Sequence, residues 1–224
     1  MYQIDLHVHT RMSSSCGRME ASELVDGYLA AGYSGILITD HFCLPSFEYL
    51  GNPMDAGCVN RFLEGYRQVK ALGDQRGLKV YKGAELRFYE NDNDYIMINY
   101  PDSLLENPEK LFCMGLAEFY PLAKAAGAML IQAHPYRGPC RPAEPKYLDG
   151  VEIYNMHPNH DSHNDLAVQF GASSGLIQTS GSDCHMPHHL GRGGIRAEEL
   201  PEDEAGLVRL LRSGEFTLIG SEKI

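Results

Sequence analysis

Six short apolar runs in this chain each end in a residue that can hold a proton or a metal ion, and this repetition constrains the fold more than any other feature. The stretches are IDLHVH, ILITDH, YKGAE, LIQAH, VEIYN and TSGSDCH. On a β-strand, residues i and i+2 point to one face, so His7 and His9 aim at a common spot. Apolar runs at 2–6, 35–39, 78–82, 95–98, 128–132, 150–154 and 176–179 predict strands, and helical periodicity marks 21–31, 59–76, 115–126, 165–173 and 202–212. This alternation predicts a parallel sheet covered by helices, and about seven strands predict a closed or nearly closed α/β barrel. In such a barrel the strand exits converge on one face, where these folds build their sites.

Composition narrows what that face serves. A chain of 224 residues without low-complexity tracts reads as one domain, 1–224, and 43% hydrophobic content is ordinary for a globular protein. No apolar run reaches the length a membrane span needs, and the N-terminus lacks a signal-peptide pattern, so a cytoplasmic protein without membrane partners is expected. Cys16, Cys43, Cys58, Cys113, Cys140 and Cys184 contain no CxxC pair and read as reduced thiols. A net charge of -11 speaks against bulk nucleic-acid binding. It leaves room for a small phosphorylated substrate, whose charge local arginines and metal ions can offset.

Imidazole and carboxylate together suit zinc, manganese or iron. The candidate ligands are His7, His9, His41, Glu85, His134, Asp183 and His185. Any one of them alone reads as a hydrogen-bonded structural residue, Asp183 as a turn residue in GSD, and Asp40 as a cap. Their joint occurrence as HxH, DH, a Glu, HP and DxH, each motif after its own apolar run, points to a polynuclear site, because one ion takes only three or four protein ligands. Arg11, Arg137 and Arg192 are candidate phosphate forks, with Arg192 first because its loop follows Asp183 and His185. Asn155 is a candidate hydrogen-bonding residue. His157, His160 and His163 are expected in a solvated loop rather than a separate metal patch, with His188 and His189 similar.

His7-Val8-His9-Thr10, Thr39-Asp40-His41, Gly83-Ala84-Glu85, Ala133-His134-Pro135 and Gly181-Ser182-Asp183-Cys184-His185, in this order, resemble the PHP (polymerase and histidinol phosphatase) domain. The resemblance implies a distorted (β/α)7 TIM-like barrel and a metal-dependent phosphoesterase. It implies a first metal at His7, His9, Glu85 and Asp183, a second shared by Glu85 and taking His134, and a third using His41 and His185. Two departures stand out. The segment Ser13 to Gly17 carries no His or Asp, so only Cys16 or a water is left for that place, and IMINYPD offers Asn99, Tyr100 and Pro101 where members often carry a His. Two divalent ions held tightly and a third weak or absent are therefore expected.

The function implied is hydrolysis of a small phosphomonoester, in the manner of a histidinol phosphatase. Ions of this kind lower the pKa of a coordinated water to about 7 and clamp the oxygens of a phosphoryl transfer. Asp183 or an imidazole such as His185 is expected to protonate the leaving alcohol, with Arg192 against the phosphate. Phosphodiester, cyclic nucleotide or amide hydrolysis on the same metals is the alternative, as is a non-catalytic regulatory barrel. Substrate identity and oligomeric state are not legible.

Overall fold

The computed structural model describes residues 1–220. Its strands are β1 (Tyr2–Val8), β2 (Gly35–Ile38), β3 (His41–Phe42), β4 (Lys79–Arg87), β5 (Asp94–Ile98), β6 (Met129–Gln132), β7 (Gly150–Asn155), β8 (Ile177–Gly181), β9 (Gly194–Ala197) and β10 (Phe216–Ile219). The helices are α1 (Ala21–Ala30), α2 (Leu44–Leu50), α3 (Cys58–Phe62), α4 (Glu64–Arg76), α5 (Pro108–Ala125), α6 (Asn164–Ser174) and α7 (Glu204–Ser213).

One sheet runs β10-β9-β1-β2-β4-β5-β6-β7-β8, with β3 paired to β4 off this path. Its ends curl together into a nearly closed, TIM-like barrel: Val8 bridges Cys184 in parallel, and the His9 and Cys184 amides donate to the Cys184 and His7 carbonyls at 2.9 and 3.1 Å. Asp5, wholly buried, fastens the seam by accepting from the Ser182 amide at 2.9 Å, the His7 amide at 3.2 Å and the Tyr28 hydroxyl at 2.8 Å. All seven predicted strands are present, but the sheet is not uniformly parallel. β5 runs antiparallel to both β4 and β6, and β9, itself unforeseen, is antiparallel to β1 and β10.

The helices follow their apolar spacing. In α1 the buried residues Ala21, Leu24, Val25 and Tyr28 fall at i, i+3, i+4 and i+7, one stripe facing the sheet. The predicted 59–76 helix is divided at Leu63 into α3 and α4, and α5 starts seven residues before the predicted 115. A core cluster joins Ile4, Leu37, Tyr81, Ile96 and Ile131 of the strands to Leu207, Val208 and Leu211 of α7. A second, rich in Phe42, Phe47, Phe88, Phe112 and Phe119, fills the space between β3, β4 and α5. No helix among the described residues is long and apolar enough to cross a membrane.

Candidate metal centre

The alternation of β1 brings His7 and His9 to one face, and the exits of β4, β6 and β8 carry Glu85, His134 and Asp183 to the same place. All five are at most 1% exposed. His7 Nε2 stands 3.2 Å from Glu85 Oε1 and 3.4 Å from Asp183 Oδ1, and His9 Nε2 stands 3.4 Å from Glu85 Oε2 and 3.2 Å from Asp183 Oδ1. Yet His7 Nε2, His9 Nε2, His41 Nδ1, Glu85 Oε2 and Asp183 Oδ1 are buried without a hydrogen-bond partner among the described residues. Buried polar atoms left unmatched are costly, so atoms this close but misaligned for one another point at a common centre. Donors held about 2.0–2.2 Å from a tetrahedral zinc would stand about 3.3–3.6 Å apart, close to the 3.2–3.4 Å found here. The four-residue set therefore fits an ion.

The hydrogen bonds behind the ligands set which nitrogen carries the lone pair. Glu152, 1% exposed in the middle of β7, accepts from His7 Nδ1 at 3.0 Å, which turns the Nε2 lone pair toward the centre. The Ser14 hydroxyl donates to Asp40 Oδ1 at 2.7 Å, so it accepts from His9 Nδ1 at 3.1 Å and again leaves Nε2 bare. His185 Nδ1 lies 2.8 Å from the Asp183 carbonyl, which only accepts, so here too Nε2 holds the lone pair. His157 and His189 are the reverse. Their Nδ1 atoms accept from the Asn159 amide at 3.2 Å and the His185 amide at 3.3 Å, which puts the hydrogen on Nε2. Although ring nitrogens of His157, His185 and His189 lie within 4.8 Å of one another, two of the three are thus in the wrong tautomer for a metal.

Charge is concentrated here. Burial alone would lower the His7 pKa, but Asp183, Glu152 and Glu85 outweigh it and raise it well above the ordinary imidazole value. His41 is raised in the same way by Glu85 and Cys16 against burial, while burial with His185 and His41 nearby drives His9 well below. Glu85 and Asp183 are held far below the usual carboxylate range, Glu85 by His41 and His7 and Asp183 by His7 and Arg137, despite burial. Backbone strain gathers in the same place: His134 has φ of 28° and Asp183 of 49°, left-handed conformations that cost on the order of 1–3 kcal/mol each for residues other than glycine. The His134 amide is held by Glu152 Oε2 at 3.1 Å.

The seven predicted ligands come together: His41 Nδ1 is 2.8 Å from Glu85 Oε2, and His134 Nε2 is 3.2 Å from Glu85 Oε1. Arg137 reaches Asp183 Oδ2 at 2.5 Å, and Asn155 Nδ2 donates to Glu152 Oε2 at 2.9 Å and Asp183 Oδ2 at 3.2 Å. Arg192 lies close by, its Nε donating to the Met156 carbonyl at 3.2 Å and its amide to Ser182 Oγ at 2.9 Å. Arg11 turns outward, 62% exposed and paired with Glu20 at 2.6 Å. The expected solvated histidine loop is divided: His160 and His163 are exposed, but His157 and His189 are buried behind the centre.

Two residues escaped the sequence reading. Glu152 is a lone carboxylate inside an apolar strand, a signal that could have been used. Asp94 lies outside the sequence pattern because a parallel β5 would present its other end, at Ile98, to the mouth. Its antiparallel run puts its first residue at the mouth, where Asp94 Oδ2 lies 3.9 Å from His134 Nε2 and is gripped by Arg87 at 2.8 and 2.6 Å.

A TIM-like barrel with buried imidazoles and carboxylates gathered at its mouth is the class that fold and site define. The chain matches the PHP domain over residues 5–213 and belongs to that family. Among solved structures it is similar to a two-domain protein from Bacteroides vulgatus ATCC 8482 that contains a PHP-like metal-dependent phosphoesterase assigned by prediction, with TM-score 0.70 and 18% identity over 97% of this chain. This chain spans 64% of that protein's length. It is also similar to a candidate metal-dependent phosphoesterase from Bifidobacterium adolescentis ATCC 15703, with TM-score 0.57 and 14% identity over 94% of this chain and 96% of the other. An amidohydrolase from Chromobacterium violaceum, solved with bound sulfate and no metal, matches with TM-score 0.58 and 16% identity over 99% of this chain and 100% of that one. No curated protein matches the sequence.

Proposed function

We propose that this PHP-family chain is a metal-dependent phosphoesterase acting on a small phosphomonoester, of the kind a histidinol phosphatase hydrolyses. The observation that carries the reading is the set of five buried, unpartnered ligand atoms on His7, His9, His41, Glu85 and Asp183. Zinc, manganese or iron bound there, as two or three ions, supplies charge neutralisation and activation of the attacking water. The chain's own groups do the rest. Arg137, with one arm on Asp183 and 19% of its side chain exposed, presents its remaining N–H groups to phosphate oxygens. Arg192 follows it at the same mouth, and Asn155 fixes Asp183 and Glu152 relative to one another. Burial, with His185 and His189 nearby, pushes the His157 pKa down to about 3, so its ring stays neutral beside that of His185.

The test is phosphate release from a panel of phosphomonoesters by metal-loaded protein. We expect activity that is lost by at least about a hundredfold in His7→Ala and Asp183→Ala, as removal of a metal ligand requires. Hydrolysis confined to diesters or amides would replace the substrate class and keep the metal chemistry. Loaded protein inert on every ester and amide would support a regulatory barrel instead.

A further inference from the structure

We infer that the Cys16 thiolate completes, with His41 and His185, the third metal position that the family resemblance implies, and that this sulfur makes the position take zinc or cobalt in preference to manganese or magnesium. The inference rests on reading the buried cluster as a metal centre.

Cys16 Sγ and a ring nitrogen of each of His9, His41 and His185 lie within 4.8 Å of one another. His9 Nε2 is committed to the centre it shares with Glu85 and Asp183. That leaves two imidazoles and a thiol. His41 Nδ1 has no hydrogen-bond partner, and His185 has its lone pair on Nε2 because Nδ1 donates to a carbonyl. The ring of His9, fully buried and also unpartnered at Nε2, stacks 4.3 Å from that of His185 and 4.5 Å from that of His41, so the cluster is continuous with the first centre.

The loop that presents Cys16 is built rather than draped. The Ser14 hydroxyl accepts from the His41 amide at 3.0 Å while bonding Asp40 and His9, and the Ser15 amide donates to Ser46 Oγ at 3.1 Å. On the other side of Cys16, the Arg18 amide donates to the His185 carbonyl at 2.9 Å. Between them Gly17 is pressed so close that a Cβ would lie 2.1 Å from the Thr10 carbonyl oxygen, a contact only glycine permits. The loop is thus pinned to the elements that carry His9, His41 and His185. A serine or alanine at 16 would fold the same way and lose only the sulfur.

The donor set decides the metal. Thiolate with imidazole favours zinc and cobalt, whereas manganese and magnesium prefer oxygen. The rest of the centre, rich in carboxylate, carries no such bias. The consequence is a position whose occupancy depends on a free thiol at Cys16, which is partly exposed.

Cobalt substitution tests this without an activity assay. Metal-free protein titrated with Co(II) should develop visible d–d bands from the imidazole and carboxylate centre and, with a further equivalent, a near-ultraviolet thiolate-to-cobalt band. Cys16→Ser should lose the near-ultraviolet band and keep the visible ones. In wild-type protein, zinc or cobalt should slow alkylation of Cys16 by roughly tenfold or more, while manganese does not and exposed Cys113 serves as the unprotected control. Visible bands without a near-ultraviolet band, together with Cys16 alkylating equally fast with and without metal, overturn the thiolate position and leave the first centre standing. Absence of both bands overturns the metal centre itself.

Discussion

Glu152 shows how one residue sets the chemistry of another. It is bonded to His7 Nδ1, the His134 amide and Asn155 Nδ2 at once, and so fixes two imidazole-bearing strand exits together. Glu152→Gln keeps the shape but offers an N–H in place of one acceptor, so metal affinity should fall about 10–100-fold, as for other groups behind metal ligands. Competition with a chromophoric chelator measures it, and unchanged affinity would remove Glu152 from the site. A second expectation follows from protonation. In the metal-free protein the carboxylates around His7 and His41 raise both pKa values above the ordinary imidazole value and so favour the protonated rings. Metal must displace these protons, so binding should release at least one proton per chain and weaken as pH falls. Calorimetry in buffers of different ionisation enthalpy reads the number directly, and no buffer dependence would contradict it. At this scale the sequence was informative: the seven candidate ligands were legible because they fall at the ends of five apolar runs, two runs carrying two each. Glu152 was not, because its role exists only once the seam between β1 and the β8 exit closes and brings β7 within reach of His7.

At the level of elements, polarity and kinks were the hidden variables. A strand's direction is not written in its side-chain alternation, which reads the same both ways, so antiparallel β5 was indistinguishable from a parallel strand and Asp94 went unseen. Helix α5 holds a break at Gly115, whose φ of 71° is outside the helical region, and the Leu116 amide beyond it donates to Glu90 Oε1 at 2.8 Å. The apolar periodicity restarts at that break, which is why the sequence placed the helix start there. A Cβ at 115 would meet Glu90 Oε2 at 2.4 Å. Gly115→Ala should therefore destabilise the fold by about 1–3 kcal/mol, from the left-handed backbone and the displaced carboxylate. Urea unfolding measures this, and a change below about 0.5 kcal/mol, the range of an ordinary surface substitution, would show that the kink relaxes freely.

For the whole molecule, the candidate centre ties the barrel seam to the far wall, since its imidazoles and carboxylates come from β1, β4, the β6 exit and the β8 exit. Ions that bind only the folded chain stabilise it, by about 4 kcal/mol at a thousandfold excess over Kd. For a domain of this size that is about 8–16 °C in Tm, which chelation should abolish and zinc restore. An unchanged melting curve after complete metal removal would mean the cluster holds itself together without ions. The sequence by itself determined the barrel, the family pattern and which imidazoles and carboxylates gather at its mouth, because hydrophobic periodicity and strand-exit chemistry are local properties. Only the tertiary structure decided which nitrogen of each histidine faces inward, which arginine reaches Asp183, and that Cys16 stands beside His41 and His185. Those depend on distances between residues far apart in the chain, which alternation and spacing do not encode.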